Sequence, residues 1–188
     1  MTARRWLPTV LLLAALVSAC SGGGGPSVAD GKRAANAARR PVAEAYWKLD
    51  NSIGTAASHP GGEGVFARCE GGPANGVVYS VRTVLGSRRA NDTPGRFTAA
   101  VADRLARAGW QLAPSSGLPR SASNGDLRVD LEPPEVGGAS ASVALVVSGK
   151  CVDVGAAANV LLDIYVNNKT DRYPESRAAE SPIPTTFP

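Results

Sequence analysis

Histidine is almost missing from this chain, since His59 is the only one among 188 residues. A Ser/His/Asp catalytic site needs an imidazole base, and a structural zinc site needs about four Cys or His ligands. The chain has three cysteines, and His59 stands beside Pro60 and Gly61 without a serine or an acid at a useful spacing. We therefore expect His59 to be a solvated loop residue, and we predict no metal site and no catalytic residue.

Glycine motifs that bind phosphate or position a nucleophile are missing as well. The chain contains no Gly-x-x-x-x-Gly-Lys-Ser/Thr segment and no Gly-x-Ser-x-Gly segment, and no Gly-x-Gly-x-x-Gly segment follows a strand. The glycine-rich stretch from Gly61 to Gly64 includes Glu63, whose charge repels phosphate. The sequence thus predicts no cofactor and favours a protein that is not an enzyme.

Long apolar runs are scarce, and the most prominent one lies at the N-terminus. Leu7 to Val17 spans 11 residues, about half of the roughly 20 that a membrane-spanning helix requires. This run follows Arg4 and Arg5 and precedes small residues, which is the pattern of a secretory signal peptide. We predict a signal over residues 1–19.

The end of this signal, Val17-Ser18-Ala19-Cys20, resembles a bacterial lipobox. In that family the cysteine receives lipid and becomes the new N-terminus, which implies a lipidated Cys20. Each buried CH₂ contributes about 0.8 kcal/mol, so two or more acyl chains hold a protein stably on a bilayer. The resemblance implies a lipid anchor at the extracytoplasmic face of the cell membrane. The alternative is a secreted protein cut near Ala19, with Cys20 as an incidental thiol.

Residues 20–29 contain Gly22 to Gly25 in a row and have few side chains that can pack. Such a composition predicts a flexible tether between Cys20 and the folded domain. Removing the signal also removes Arg4 and Arg5, which leaves 18 basic residues against 16 acidic ones and lowers the net charge from +4 to +2. No basic block with interleaved aromatic residues is present, so we expect no nucleic-acid partner.

Two cysteines remain in the exported part, Cys69 and Cys151. An even number in an exported chain favours a disulfide, and only one pairing exists. A redox pair would normally have Cys-x-x-Cys spacing, and a zinc site would need further ligands. We therefore predict a structural disulfide between Cys69 and Cys151.

Two helices are indicated by apolar spacing and by end signals. Val42, Tyr46, Leu49 and Ile53 recur at helical intervals and predict a helix over about residues 41–57, with Asp30 as the cap of an earlier stretch. Thr93 and Pro94 predict the start of a second helix, with one face formed by Phe97, Val101, Leu105 and Ala108 and an end at Gly109. Trp110, just beyond that glycine, is expected to pack into the core.

Strands are indicated where apolar residues alternate with polar ones. Residues 77–85 alternate and are rich in β-branched side chains, which predicts a strand. Residues 127–132 and 141–148 alternate too, and the turn-rich segment between them favours an antiparallel hairpin. Residues 160–166 fit either a last strand or a short helix. The proline-rich residues 173–188 predict an irregular tail.

This order of elements predicts an α+β domain over residues 30–172, with a small antiparallel sheet of about four strands and helices packed on one face. After the lipobox come a strand, a helix that ends in Ala-Gly-Trp and further strands. This arrangement resembles that of small lipoproteins of uncharacterised function from GC-rich Gram-positive bacteria. The resemblance implies a location and a fold but no active site.

Asp130 and Glu132 are the one pair of carboxylates whose spacing suggests chemistry, since both lie on the same face of a predicted strand. Their alternation with Leu127, Val129 and Leu131 is also what a solvated outer face requires, and we prefer that interpretation. We therefore expect a non-enzymatic binding or interaction module whose partner is an envelope protein or the cell wall. The alternatives are a small-molecule or lipid carrier with an apolar cavity and, less favoured, an envelope hydrolase.

Overall fold

The computed structural model describes residues 25–53, 57–58, 61–118, 120–132, 141–166 and 170–173. The predicted signal, Cys20, His59, the segment between the two hairpin strands and the tail from residue 174 lie outside these residues. The described elements are α1 (Val28–Ile53), β1 (Ala57–Ser58), β2 (Gly62–Arg68), β3 (Gly76–Ser87), α2 (Pro94–Arg107), β4 (Gln111–Leu112), β5 (Ser121–Asn124), β6 (Leu127–Glu132), β7 (Ser142–Ser148), β8 (Val152–Asp153), α3 (Ala157–Val166) and β9 (Asp171–Tyr173).

Helix α1 starts earlier than the sequence predicts and continues through Pro41. Its first turn is capped by Ser27, whose Oγ accepts from the backbone N–H of Asp30 at 3.2 Å and whose carbonyl accepts from Gly31 at 2.8 Å. The expected apolar face of Val42, Tyr46, Leu49 and Ile53 is buried. Packing of this face stabilises the helix enough that the hydrogen bond lost at Pro41 does not end it.

Helix α2 confirms both predicted end signals. Thr93 Oγ1 accepts from the backbone N–H of Arg96 at 3.3 Å, and Pro94 is the first helical residue. At the other end Gly109 has φ +86°, and the N–H of Trp110 donates to the carbonyl of Leu105 at 3.0 Å. This is a Schellman ending, and it returns Trp110 to the core, where its side chain is buried.

The prediction of a small sheet of about four strands is wrong. The described residues form nine strands in one antiparallel sheet, with the order β4-β5-β6-β7-β3-β2-β9. Strands β1 and β8 pair with the two ends of β3. The predicted hairpin partners β6 and β7 do pair antiparallel. The chain is α+β, and its described residues form nine strands against three helices.

The missed strands are short or rich in glycine. Four of them, β1, β4, β8 and β9, have two or three residues, too few to show an alternating pattern. No strand is predicted around Gly62 and Gly64, yet both glycines belong to β2 and lie very close to aromatic rings. A Cβ at Gly62 would lie 2.9 Å from the ring of Tyr46, and one at Gly64 would overlap the hydroxyl of Tyr79. Glycine here makes room for core tyrosines.

Residues 160–166, whose sequence fits either a strand or a helix, are helical. Helix α3 buries Ala157, Ala158, Leu161 and Tyr165, which lie on one face at helical spacing. Its ring contact from Tyr165 to Phe66 of β2, at a centroid distance of 5.5 Å, seats it against the sheet. The apolar run of residues 160–166 is too short for periodicity alone to separate the two states.

All three helices pack against the same face of the sheet. Helix α1 covers β3, α2 covers β7 and α3 covers β2. That face presents the buried residues of the central strands, among them Val77, Tyr79, Val81, Leu85, Val143, Leu145 and Val147. No helix in the described ranges is long and apolar enough to cross a membrane.

The predicted disulfide is confirmed. Cys69 and Cys151 are bonded, with a Cα–Cα distance of 5.9 Å that lies in the ordinary range. The bond joins the loop after β2 to the residue before β8, at the end of the sheet where β3 begins. Gly72 and Gly76 lie close to its sulfur atoms, so this end of the sheet is tightly packed.

Candidate functional site

The face of the sheet turned away from the helices carries polar and charged side chains from six strands, together with several small apolar ones. We call it the open face. Strand pairing places on it the alternate residues of six strands: Ser121 and Ser123, Arg128, Asp130 and Glu132, Val146 and Ser148, Ser80, Arg82 and Val84, Glu63 and Val65, and Arg172. These residues are half-buried or exposed, whereas their sequence neighbours point into the core.

Asp130 and Glu132 lie on the open face, which confirms that they point away from the core. The carboxylate of Asp130 accepts two hydrogen bonds from Arg128 Nε and one from its Nη2, at 2.7 to 2.9 Å. These bonds raise the pKa of Arg128. Asp130 therefore has a fixed cationic partner, and neither carboxylate lines the groove described next.

A groove of about 600 Å³ lies at the β2–β9 side of the open face. We call it the edge groove; it is lined by Gly61, Gly62, Glu63, Arg82, Val84 and Arg172, with contributions from Thr83 and Tyr173. It is shallow and open to solvent, and its lining mixes backbone, charged groups and a valine. This composition suits an extended polar ligand better than a buried apolar one.

Three charges cross the edge groove in one row. Glu63 lies directly opposite Arg82 on one side and directly opposite Arg172 on the other. All three side chains are exposed. Among the described residues, none of the three forms a side-chain hydrogen bond or an ion pair within 4.0 Å, so both guanidinium groups keep their donors available to a ligand.

This row of charges is not predicted by the sequence. Arg82 falls within a predicted strand, whereas Glu63 lies in a glycine-rich stretch without a predicted strand and Arg172 belongs to no predicted element. The three residues are 19 and 90 positions apart along the chain, and they meet because β2 pairs with both β3 and β9. No local pattern predicts that pairing, since β9 has three residues.

The face of the sheet that packs against the helices is the covered face. A buried polar cluster lies on it, beneath the edge groove. Arg39 of α1 and Asp171 of β9 form an ion pair at 3.0 Å, and their side chains are 1% and 3% exposed. The hydroxyl of Tyr79 donates to Asp171 at 2.6 Å, and that of Tyr165 lies 3.3 Å from both carboxylate oxygens. Tyr173 is hydrogen-bonded to Tyr79 at 3.0 Å. The carboxylate therefore has four polar contacts from three groups.

The tyrosines of this cluster stay protonated at neutral pH. Burial raises the pKa of Tyr173 to about 12 and also raises the pKa values of Tyr79 and Tyr165, because burial penalises the phenolate and Asp171 adds a like charge. Protonated hydroxyls can donate to the Asp171 carboxylate. The cluster is thus a satisfied buried network, which holds its members in fixed positions.

This network fixes Arg172 through its neighbours. Asp171 and Tyr173 point into the core and are held there, so Arg172 between them must project onto the open face. Tyr173 also packs against Tyr46 and Trp47, with centroid distances of 5.0 and 5.7 Å. The short strand β9 is therefore secured at both core-facing positions, and the backbone of the edge groove is well supported.

The spaces between the helices and the sheet are small. One beside α2, lined by Thr98, Leu131 and Val143, measures about 130 Å³, and others near Ile53 measure about 40 and 10 Å³. Ligand pockets usually measure about 300 to 1,000 Å³. The covered face is therefore packed rather than hollow at these positions. In the described part of the chain, no group of three or more His, Cys, Asp or Glu side chains is arranged to hold a metal ion.

Comparison of the chain with models of protein families, with curated proteins and with solved structures found no match.

Proposed function

We propose that this protein is a lipid-anchored, extracytoplasmic binding module of the cell envelope, without enzymatic activity, and that its open face holds the partner. The observation that carries the proposal is the contrast between a filled, helix-covered face and a polar face with an edge groove that no described helix covers. Its partner is an envelope protein or a cell-wall component.

The membrane location is supported by sequence and by covalent chemistry. Arg4, Arg5, the apolar run and Val17-Ser18-Ala19-Cys20 favour export followed by lipidation of Cys20. The bond between Cys69 and Cys151 is the form that an oxidising compartment maintains, which supports export.

The described start of the domain lies far from the edge groove. Gly25 to Ser27 lead into α1 beside Val154 and Gly155, at the end of the sheet where β3 begins. Arg82 and Thr83 lie six to seven residues further along β3, roughly 20 to 23 Å away at 3.3 Å per residue. The edge groove therefore lies roughly 20 Å from the point where the tether joins the domain, which supports its accessibility to a partner.

Neither alternative function has comparable support. A carrier requires a cavity several times larger than the spaces found beneath the helices. A hydrolase that uses Asp130 and Glu132 requires a concave site, whereas Asp130 is paired with Arg128 on an open strand.

Photocrosslinking in intact cells tests the binding role. A photoreactive amino acid at Ser80 or Val84 of the open face should give a discrete adduct of higher mass, because the partner covers these positions. The matched control is Asp103, which is exposed on α2. Adducts from Asp103 but not from Ser80 or Val84 would place the partner on the helices and contradict the proposal.

Mass spectrometry tests the anchor separately. The N-terminal peptide of protein isolated from membranes should begin at Cys20 and carry acyl mass, and Cys20→Ala should leave the precursor unprocessed or release the protein from membranes. A mature N-terminus upstream of Cys20, or an unmodified Cys20, would remove the membrane anchor and leave the binding role to be judged by crosslinking.

A further inference from the structure

We propose that the edge groove binds a ligand with two negatively charged groups, each a carboxylate or a phosphate, spaced so that one meets Arg82 and the other meets Arg172. This inference rests on the proposed binding function and specifies the chemistry of its site.

The charge balance of the groove favours an anionic ligand. Two guanidinium groups face one carboxylate across the row, and both arginines are exposed without a side-chain partner among the described residues. A guanidinium group presents a planar set of donors that matches the oxygens of a carboxylate or a phosphate. Elsewhere on the open face, the guanidinium group of Arg128 already donates hydrogen bonds to Asp130.

The position of Glu63 favours two separate anions over one. Arg82 and Arg172 belong to strands on either side of β2, so their backbones lie roughly 10 Å apart at the usual spacing of neighbouring strands. Glu63 lies between them and repels an anion placed at the centre of the row. A ligand therefore gains most when each arginine meets its own anion and an uncharged or cationic portion faces Glu63.

The support beneath the groove reduces the ordering that binding requires. Asp171 and Tyr173 are held in the core by Arg39, Tyr79 and Trp47, so the backbone of Arg172 is fixed before a ligand arrives. Arg82 lies on β3, which is paired on both sides by β2 and β7. Two preset arginines lose little backbone freedom on binding, which strengthens recognition of a matching spacing.

A titration with defined anions tests the spacing. The full chain, isotopically labelled and held in a non-ionic detergent, is titrated with acetate, inorganic phosphate and suberate while the NMR signals of the arginine Nε–H groups are followed. Suberate carries two carboxylates on an extended chain whose length is close to the separation of the arginines. It should shift the signals of Arg82 and Arg172 together and bind about fivefold more tightly than acetate.

Single substitutions identify the contacts. Arg82→Gln and Arg172→Gln should each weaken suberate binding about three- to fivefold, while leaving acetate binding at the other arginine. Arg96→Gln is the matched control, since Arg96 is exposed on α2 and away from the open face. Glu63→Gln should strengthen binding of inorganic phosphate, because the repulsion at the centre of the row is removed.

A linear diol with one phosphate ester at each end and the same span as suberate distinguishes a preference for phosphate from a preference for carboxylate. Tighter binding of this ester identifies phosphate as the preferred group, and tighter binding of suberate identifies carboxylate; both results support the proposal. Equal affinity for acetate and suberate, or no change in Arg172→Gln, would overturn it. Adducts from Ser80 in cells would then still support the binding function, so the two failures are distinguishable.

Discussion

The two faces of the sheet differ in almost every physical property although they are built from the same strands. On β3, Tyr79 and Val81 are fully buried under helices, while Ser80 and Arg82 between them point to solvent. Burial of apolar area stabilises the fold by roughly 25 cal/mol per Å². The covered face therefore supplies most of the stability, and the open face contributes less to it.

The polar cluster of Arg39 and Asp171 is the exception on the covered face. A buried ion pair rarely adds much stability compared with an apolar pair, but removing one partner leaves an uncompensated charge. Its position explains its presence, since it joins the first helix to the last described strand and sets the direction of Arg172. The comparison thus predicts large effects on stability from covered-face changes and small ones from open-face changes.

The largest effect should follow from Asp171→Ala. This substitution leaves Arg39 buried without its carboxylate and should lower the free energy of unfolding by about 3 to 5 kcal/mol. Denaturant unfolding of the purified protein measures the change. The control is Asp126→Ala, which breaks the exposed pair with Lys150 and should cost no more than about 1 kcal/mol. Similar losses in both variants would contradict the special role of the buried pair.

A smaller loss should follow from Gly64→Ala. The added methyl group would overlap the hydroxyl of Tyr79, which is held by Asp171 and Tyr173, and overpacking of this kind costs about 1 to 3 kcal/mol. Thermal or denaturant unfolding measures the change. Gly117→Ala is the control, because nothing lies within 4 Å of a Cβ at that position. A Gly64→Ala protein as stable as its parent would show that the tyrosine cluster tolerates displacement.

The smallest effect should follow from the double change Asp130→Ala with Glu132→Ala. Both residues face away from the core, and the Arg128–Asp130 pair is partly exposed, so the free energy of unfolding should change by no more than about 1 kcal/mol. The suberate affinity of the edge groove should also stay the same. A variant that folds normally but loses the cellular role of the protein would give these carboxylates the function assigned to the groove.

Elements with a long, repeated pattern were predictable from the sequence. The strand around Tyr79 and Val81, the cap at Thr93 and the glycine stop before Trp110 all follow from local rules that tertiary contacts did not override. The disulfide followed from the count of cysteines and the expected compartment.

The edge groove was not predictable because it depends on pairing between distant segments. Glu63 belongs to a strand whose glycines on either side make its sequence resemble that of a loop. Arg172 belongs to a strand of only three residues. The buried pair of Arg39 and Asp171 is equally hidden, since both residue types are normally exposed and 132 positions separate them. Only the register of β2 against β3 and β9 brings these charges together.

Thiol labelling in intact cells tests most directly whether a partner shields the open face from solvent in the cell. Ser80→Cys and the control Asp103→Cys are each labelled with a membrane-impermeant maleimide, in cells and after purification in detergent. Cys69 and Cys151 are joined and the proposed lipid blocks the thiol of Cys20, so the parent protein, which should not react, is the blank for the introduced thiol. We predict that Ser80→Cys reacts several-fold more slowly in cells than when purified, whereas Asp103→Cys reacts equally in both. Equal rates for Ser80→Cys in cells and in detergent would contradict the account.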